Sequence, residues 1–486
     1  MNYQEPQPVK RFEFHAFSSD VFFYAAGSGL LLIVGFIQTF LLAGALPVEQ
    51  YGYWQLFNLY IIFTPLLHLG FLDGVLVRWA GKPLAQFVGE IKKSFTFIVL
   101  EQIILILPLL LIVLIVLQDP YRWIGVMVLA YGLIINVETF FVFVCQATRR
   151  FKLLTALTTS SATIFFGVIA FLYFTKVMEY HLVIGALLAI YLALVLAFIL
   201  IYRNAFGTQY SANIWNGIFS FGKKNISIGI FILLGNCSMV FFQATDRLII
   251  SAFFPIEKFA VYAFAVSITG IAYIFIRTIG DVLFPYLAAL IPEERIKYYS
   301  LARSTLLVLC GGVIAIYFPL VELVKQFFPL YVESLPVIRL LLATVGLYAI
   351  IRILQTNYFK AFGRQKAYFV IGIIMLAISI IVCILVASIW RNLELVAAAT
   401  LINFIIWFLI GEIALSALTR TGWKPICKGT AGFMLYFSVL FMIALLPIWF
   451  VLQVVIYLIC FAFITILIFR NDVMTLIKEL IPGKRS

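Results

Sequence analysis

Pro47-Val48-Glu49-Gln50-Tyr51 and Pro255-Ile256-Glu257-Lys258-Phe259 are two copies of one segment, 208 positions apart. The proline and the acid are identical, valine is echoed by isoleucine, and one aromatic replaces another. Asp73 recurs at the same offset as Asp281. A second match at an offset of 214 sets Ala147, Arg150 and Lys152 beside Ala361, Arg364 and Lys366. Each copy lies beside long apolar runs. The repeated unit is therefore a bundle of apolar helices, duplicated in tandem.

Composition says what surrounds those helices. Of 486 residues, 64% are hydrophobic and only 11% charged, whereas a water-soluble domain carries about 25% charged residues. Apolar stretches of about 20 residues, the length that crosses a bilayer as helix, recur from end to end. The predicted spans are 20–46, 51–76, 94–117, 121–146, 154–175, 181–202, 222–252, 256–290, 299–318, 332–358, 365–389, 394–418, 426–447 and 449–469. The expected fold class is an all-α polytopic membrane protein with about 14 transmembrane helices.

Both offsets correspond to six helices, an even number, so the second bundle enters the membrane in the same sense as the first. The lobes should then be related by a pseudo-two-fold axis along the membrane normal, with a cavity between them, as in many secondary transporters. The expected domains are a six-helix lobe at 1–202, a connector at 203–221, a second six-helix lobe at 222–419, and helices 13–14 with a tail at 420–486. No charged residue lies between Gly429 and Phe469, so the last two helices are expected to face lipid.

Basic residues orient the chain. With the N-terminus inside, cytoplasmic segments hold 25 of the 34 Lys and Arg residues, among them Lys92, Lys93, Arg149, Arg150, Lys223, Lys224, Arg364 and Lys366. Outer loops hold Arg122, Lys176, Lys258, Lys325 and Arg391. That asymmetry places both termini in the cytoplasm and makes the net charge of +13 a topology signal rather than a sign of nucleic-acid binding. Ala43-Gly44-Ala45 has the form of a signal-peptidase site, but the apolar run before it far exceeds the roughly 7–15 residues of a signal core. The six cysteines are scattered, with no CxxC, and read as packing residues. Arg11, Phe12, Phe14 and Phe17 could form an interfacial helix, as could Leu476, Ile477, Leu480 and Ile481.

Charges inside the bilayer cost about 2.5–3.5 kcal/mol each on insertion scales, so each needs a partner or a water-filled cavity. Along the seventh span Asn225, Asn236, Gln243 and Arg247 stay within about 40° of one line. The eighth presents Gly270, Tyr273, Arg277, Gly280 and Asp281 at three- and four-residue steps, and the tenth presents Arg352, Gln355, Thr356 and Lys360. Cations and amides from three helices thus point to one interior. Arg277 could instead pair with Asp281 at i+4, and Asp246 could serve Arg247. Arg352 has no acid within one turn on its own helix. Arg339 and Arg247 lie nearer the outer surface, where snorkelling would suffice. Acids that could couple transport to H+ or Na+ are Glu138, on one face with Tyr131, and the repeat-related Asp73 and Asp281. For Asp73 a structural bond to Arg78 is an alternative, and Glu412 is a further embedded acid.

Other chemistries lack their residues. Gly217 to Lys224 reads GIFSFGKK, but Lys224 stands where a phosphate-binding loop needs Ser or Thr for magnesium. There is no HExxH and no Asp-x-Asp pair, so neither catalytic residues nor a metal or organic cofactor is expected, only a possible coupling ion.

Pro47-Val-Glu-Gln-Tyr-Gly-Tyr-Trp, then Leu69-Gly-Phe-Leu-Asp-Gly and Arg78, resemble the opening of bacterial polysaccharide flippases, members of the multidrug/oligosaccharidyl-lipid/polysaccharide exporter superfamily. Ala244-Thr-Asp-Arg-Leu-Ile-Ile, Val261-Tyr-Ala-Phe-Ala and Phe362-Gly-Arg-Gln-Lys resemble later passages of the same family. The resemblance implies two six-helix lobes and alternating access. It also implies a polyprenyl-diphosphate-linked oligosaccharide as cargo, moved to the outer leaflet of the bacterial inner membrane for surface polysaccharide such as O-antigen of lipopolysaccharide. A polysaccharide polymerase and glycosyltransferases would be its working partners. Arg277 and Arg352 could receive the diphosphate, with Arg247, Asn236, Gln243 and Gln355 beside them. Rival readings are a lipid II-type flippase, an ion-coupled drug exporter of the same superfamily, and a membrane-embedded glycan polymerase.

Overall fold

In hydrocarbon every backbone N–H and C=O must be satisfied within the chain, so apolar runs of this length can only be helices. The computed structural model describes residues 34–480, apart from 80–81, 83–85, 149, 207–213 and 420–421. All regular elements among the described residues are helical. In order they are α1 (Val34–Ala45), then α2 (Val48–Ile61), a 3-10 turn (Thr64–His68), α3 (Phe71–Trp79), α4 (Val88–Val116), α5 (Tyr121–Ala147), α6 (Phe151–Thr175), α7 (Tyr180–Phe206) and α8 (Ile218–Phe253). There follow α9 (Ile256–Ala289), α10 (Pro292–Val313), α11 (Tyr317–Phe327), α12 (Leu335–Ala349), a π turn (Ile350–Gln355), α13 (Thr356–Ala361), α14 (Gln365–Trp390), α15 (Leu393–Thr419), α16 (Lys424–Ala444) and α17 (Phe450–Leu480).

Among the described residues twelve helices are long and apolar enough to cross a membrane, and the bent pair α2–α3 makes a thirteenth. Helix α1 is the described end of the first predicted span; Arg11, Phe12, Phe14, Phe17 and Ile481 lie outside the described residues, as do the side chains of Leu476, Ile477 and Leu480. The predicted continuous helix 51–76 is in fact broken, with an angle of 61° between its two parts. Pro65 opens the 3-10 turn, and Leu69 and Gly70 both take positive φ, 45° and 84°. A proline without an N–H followed by a left-handed Gly cannot continue an α-helix. The second repeat has Tyr273 and Thr278 at the corresponding places, and α9 runs unbroken.

The repeat is visible in the backbone bonding. Tyr51 N–H donates to Pro47 O at 2.8 Å, and Phe259 N–H to Pro255 O at 3.0 Å. Each proline stands at a helix start with its acid in the first turn, where the missing N–H costs nothing and the carboxylate meets the positive end of the helix. At the second match, Arg150 N–H bonds Cys145 O and Arg364 N–H bonds Phe359 O, both at 2.8 Å. Leu154 to Arg150 and Tyr368 to Arg364 repeat the pattern at 3.1 and 3.2 Å.

The chain packs as two compact units: Met1–Ala45 with Tyr60–Leu233, and Leu46–Leu59 with Leu234–Ser486. In the first, α4, α5 and α7 enclose Phe71, Trp79, Phe97, Phe140, Phe141 and Phe198. In the second, α12 is the central helix; every residue from Val337 to Ala349 is buried, surrounded by α9, α10 and α15. The starts of the two repeat copies meet in this unit. Gly52 lies against Ile256, so close that an added Cβ would stand 2.8 Å from the Ile256 carbonyl oxygen, and Gln55 Nε2 donates to Ser267 Oγ at 3.1 Å. Helices α16 and α17 pack on α10, with Tyr457 Oη donating to Gly311 O at 2.7 Å. Their outer face exposes Trp449, Ile459, Phe463 and Leu467, as a lipid-facing surface requires.

Candidate functional site

The central helix of the second unit ends in the π turn that carries Arg352. A π turn adds a residue to the helical repeat and is frequent at functional sites. Here Thr356 Oγ1 donates to Ile351 O at 2.9 Å. Arg352 is half-buried, and its backbone presses on α9 at Gly280, where an added Cβ would stand 3.2 Å from Arg352 O and 3.6 Å from its Cγ. Asn357 clamps the crossing, its Nδ2 donating to Gly280 O at 2.7 Å and to Ile353 O at 2.9 Å. Arg277 lies three residues before Gly280 on α9 and is exposed. The two predicted cations therefore sit on adjacent turns of two crossing helices. The side chain of Asp281 lies outside the described residues, as does that of Asn236.

Arg247 and Gln243 lie a turn apart on the part of α8 that belongs to the second unit. Arg247 Nε and Gln243 Nε2 are buried with no hydrogen-bond partner among the described residues. Asp246 does not hold the Arg247 guanidinium by hydrogen bond. Its Oδ1 accepts the Arg247 backbone N–H at 2.7 Å, and its Oδ2 accepts Tyr262 Oη at 2.7 Å and Thr400 Oγ1 at 3.3 Å. Tyr262 and Tyr273 of α9 are both within electrostatic reach of Arg247.

Gln355 departs from the face it was expected to share with Arg352. The wider π turn carries it into the core, where it is fully buried and Nε2 donates to Phe408 O at 2.9 Å and Glu412 Oε1 at 3.3 Å. Glu412 also accepts from Tyr299 Oη and, at 2.9 Å, from Arg303 Nη1. That network binds α10, the π turn and α15 together. Arg339 is buried over the Phe441 ring, 3.9 Å from its centroid, and bonds the partly exposed side chain of Glu394 at 3.2 Å.

The first unit holds the remaining predicted acids. Glu138 is buried on α5, within electrostatic reach of Tyr131 and Tyr191. Asp73 follows the break, and its carboxylate lies 4.0 Å from His68 Nε2. It does not pair with Arg78, which instead bonds both oxygens of Glu90, at 2.8 and 2.9 Å, and Asn225 Oδ1 at 3.0 Å. Asn225 thus serves the first unit, as the partner of Arg78. Gly222 of the GIFSFGKK stretch is a helical residue covered by the Phe97 ring, which leaves no cradle for a phosphate.

Sequence reasoning passed over His68, Glu101, Gln102 and Asn136. All four are buried in the first unit. Gln102 Nε2 donates to Leu67 O at 2.9 Å, and Asn136 Nδ2 to Thr64 O at 3.1 Å and Gln102 Oε1 at 2.9 Å. Both oxygens of Glu101 are buried without a hydrogen-bond partner among the described residues. The signal was present, since ionisable residues within apolar runs are functional candidates by default.

The profile of the family described as "Polysaccharide biosynthesis protein" matches residues 18–291, more than half of the chain. The chain belongs to the polysaccharide biosynthesis protein family. Among curated proteins, none matches it by sequence. Solved structures show how this family member folds. It is similar to the inward closed conformation of the lipid II flippase MurJ, with TM-score 0.69 and 13% identity, covering 93% of this chain and 99% of that one. It is also similar to an inward-facing multidrug resistance MATE family transporter of the MOP superfamily, with TM-score 0.57 and 14% identity over 81% of this chain and 96% of that one. At these identities the likeness is one of fold. The chain thus has the all-helical membrane fold that those structures share.

Proposed function

We propose that this protein is a flippase that carries polyprenyl-diphosphate-linked oligosaccharide from the cytoplasmic to the outer leaflet, by alternating access, for surface polysaccharide such as O-antigen of lipopolysaccharide. One observation carries the reading: Arg277 and Arg352 stand on adjacent turns where α9 crosses the π turn at Gly280. A diphosphate offers acceptor oxygens in the geometry a guanidinium fork matches. Arg247 and Gln243 carry N–H groups without protein acceptors among the described residues, which a sugar or phosphate oxygen would satisfy. The family match supports a role in polysaccharide biosynthesis. The chain moves its cargo without a catalytic step, driven by an H+ or Na+ gradient acting on embedded carboxylates such as Glu138, Asp73 and Asp281, and works beside a polymerase and glycosyltransferases. Both termini and the connector 203–221 face the cytoplasm of the bacterial inner membrane.

A lipid II-type cargo is the second reading, favoured by the likeness to MurJ. It carries the same diphosphate, so the same arginines would serve. Proteoliposomes holding either an undecaprenyl-diphosphate-linked oligosaccharide or lipid II separate the two. Faster movement of the oligosaccharide supports the first reading, and exclusive movement of lipid II replaces it with the second.

A further inference from the structure

The break in the second span places a histidine and a carboxylate at a bend inside the apolar part of the first unit. His68 is 4% exposed. Its Nδ1 accepts the Gly70 N–H at 3.2 Å, so the hydrogen of the neutral ring sits on Nε2, the nitrogen that lies 4.0 Å from Asp73 Oδ2. A second proton can enter the ring only at Nδ1, and entering there removes the acceptor of Gly70. The Gly70 backbone is itself wedged against Gly229 of α8, 2.5 Å from an added Cβ to the Gly229 carbonyl carbon. Protonation of this ring is thereby tied to the position of the bend and of the helix packed on it.

The same site is poorly made for an alkali cation. A broken helix binds a metal ion through freed carbonyls, but five carbonyls of this break already accept hydrogen bonds. Ile61 O accepts Thr64 Oγ1, Phe63 O accepts Leu66 N, and Leu66 O accepts Leu69 N. Thr64 O and Leu67 O accept the amides of Asn136 and Gln102. A proton needs one lone pair, and Glu101, on the helix packed against the 3-10 turn, offers four with no partner among the described residues. The other charged groups on the elements packed here are engaged or peripheral. On α3 and α4, Arg78 pairs with Glu90, and Lys92 and Lys93 lie at the start of α4. On α5, Arg122 bonds Leu117 O in the first turn and Glu138 is buried. On α8, Lys223 and Lys224 are exposed.

We propose that His68 and Asp73 at the break, with Glu101 on α4, form the proton-binding site whose loading and unloading drives transport. This rests on the flippase reading and names its coupling ion and the residues that carry it. The proton moves as H+ between water, the carboxylates and the ring, with no bond made or broken elsewhere.

The test uses the full chain in proteoliposomes with an undecaprenyl-diphosphate-linked oligosaccharide as probe, measuring its flipping without a gradient, with a pH gradient and with a sodium gradient. Wild type is expected to flip faster under the pH gradient and to ignore sodium. His68→Gln, Asp73→Asn and Glu101→Gln should each lose the acceleration while keeping the gradient-free rate, whereas Arg352→Ala loses both. His68→Asn replaces His68→Gln if the latter does not insert. Acceleration retained in all three site variants, or acceleration by sodium, overturns the proposal while leaving the flippase reading standing. A wild-type chain that flips nothing under any condition overturns both. Nitrogen-15 NMR of the imidazoles in bilayers, with only three histidines to assign, gives a check independent of cargo. A neutral His68 with its hydrogen on Nε2 is expected, and a hydrogen on Nδ1 would break the link to Gly70.

Discussion

Gly280 on α9 and Arg352 in the π turn are in close contact, with room for a hydrogen and at most a methyl group between them. An added methyl would stand 3.2 Å from Arg352 O, so Gly280→Ala should be tolerated after a shift of a few tenths of an ångström. Gly280→Leu cannot be accommodated that way. Overpacking of that kind costs about 1–3 kcal/mol, and the displaced π turn carries Arg352 with it. Flipping is expected to fall sharply for Gly280→Leu at near-normal protein level; equal activity of the Ala and Leu variants would show that the crossing does not position the arginine.

The Arg303–Glu412 pair, with Tyr299 and Gln355 around it, tests what the second unit needs for stability. Removing one partner leaves a buried charge, at a cost of about 3–5 kcal/mol, whereas an apolar pair of similar volume is often neutral. Arg303→Ala should lower the thermal unfolding temperature in detergent markedly, and Arg303→Met combined with Glu412→Leu should lower it less. A double variant less stable than Arg303→Ala would mean that the network is required as such.

Two glycines separate packing from helix propensity. Gly229 lies against the backbone of Gly70 and Gly74, and a methyl there would overlap Gly70 O. Gly167 has open space around it. Gly229→Ala should reduce folded yield, while Gly167→Ala should be neutral or stabilise by about 0.5–1 kcal/mol. Size-exclusion profiles and thermal unfolding of the two variants decide the matter.

The spans were legible because one physical requirement, about 20 apolar residues as helix, dominates in a membrane. Pro47 and Pro255 marked two helix starts, and Arg150 and Arg364 two turns, because each copy needs the same backbone bonds. The break was written in Pro65 and Gly70 but hidden by the apolar residues around them. The π turn was not legible at all. Ile350–Gln355 carries no residue that forbids an α-helix, and the turn packs against α9 and α15, which the sequence does not reveal. For that reason Gln355 could not be separated from Arg352 by counting residues. Arg78 was given the nearest acid along its helix, whereas Glu90 on the next helix holds it.

Orientation gives a prediction of its own. Reporter fusions at the connector 203–221 and at either terminus should report the cytoplasm, and a fusion near Asp119 the outside, as the basic residues require. An external connector would contradict both the charge asymmetry and the even number of helices per repeat.

The most direct test of the account is the flipping rate of undecaprenyl-diphosphate-linked oligosaccharide in proteoliposomes for Arg277 and Arg352 variants. A charge-assisted hydrogen bond contributes about 1.5–3 kcal/mol, so losing one should slow flipping about tenfold or more. Arg277→Ala and Arg352→Ala are expected to do so at unchanged insertion. Arg352→Lys, which keeps the charge but loses the fork, should retain part of the rate. The double change Arg277→Ala with Asp281→Ala should stay as slow as Arg277→Ala alone, since the cation is still missing. Wild-type flipping by Arg352→Ala, or full recovery in that double variant, would contradict the assignment of these arginines to the diphosphate.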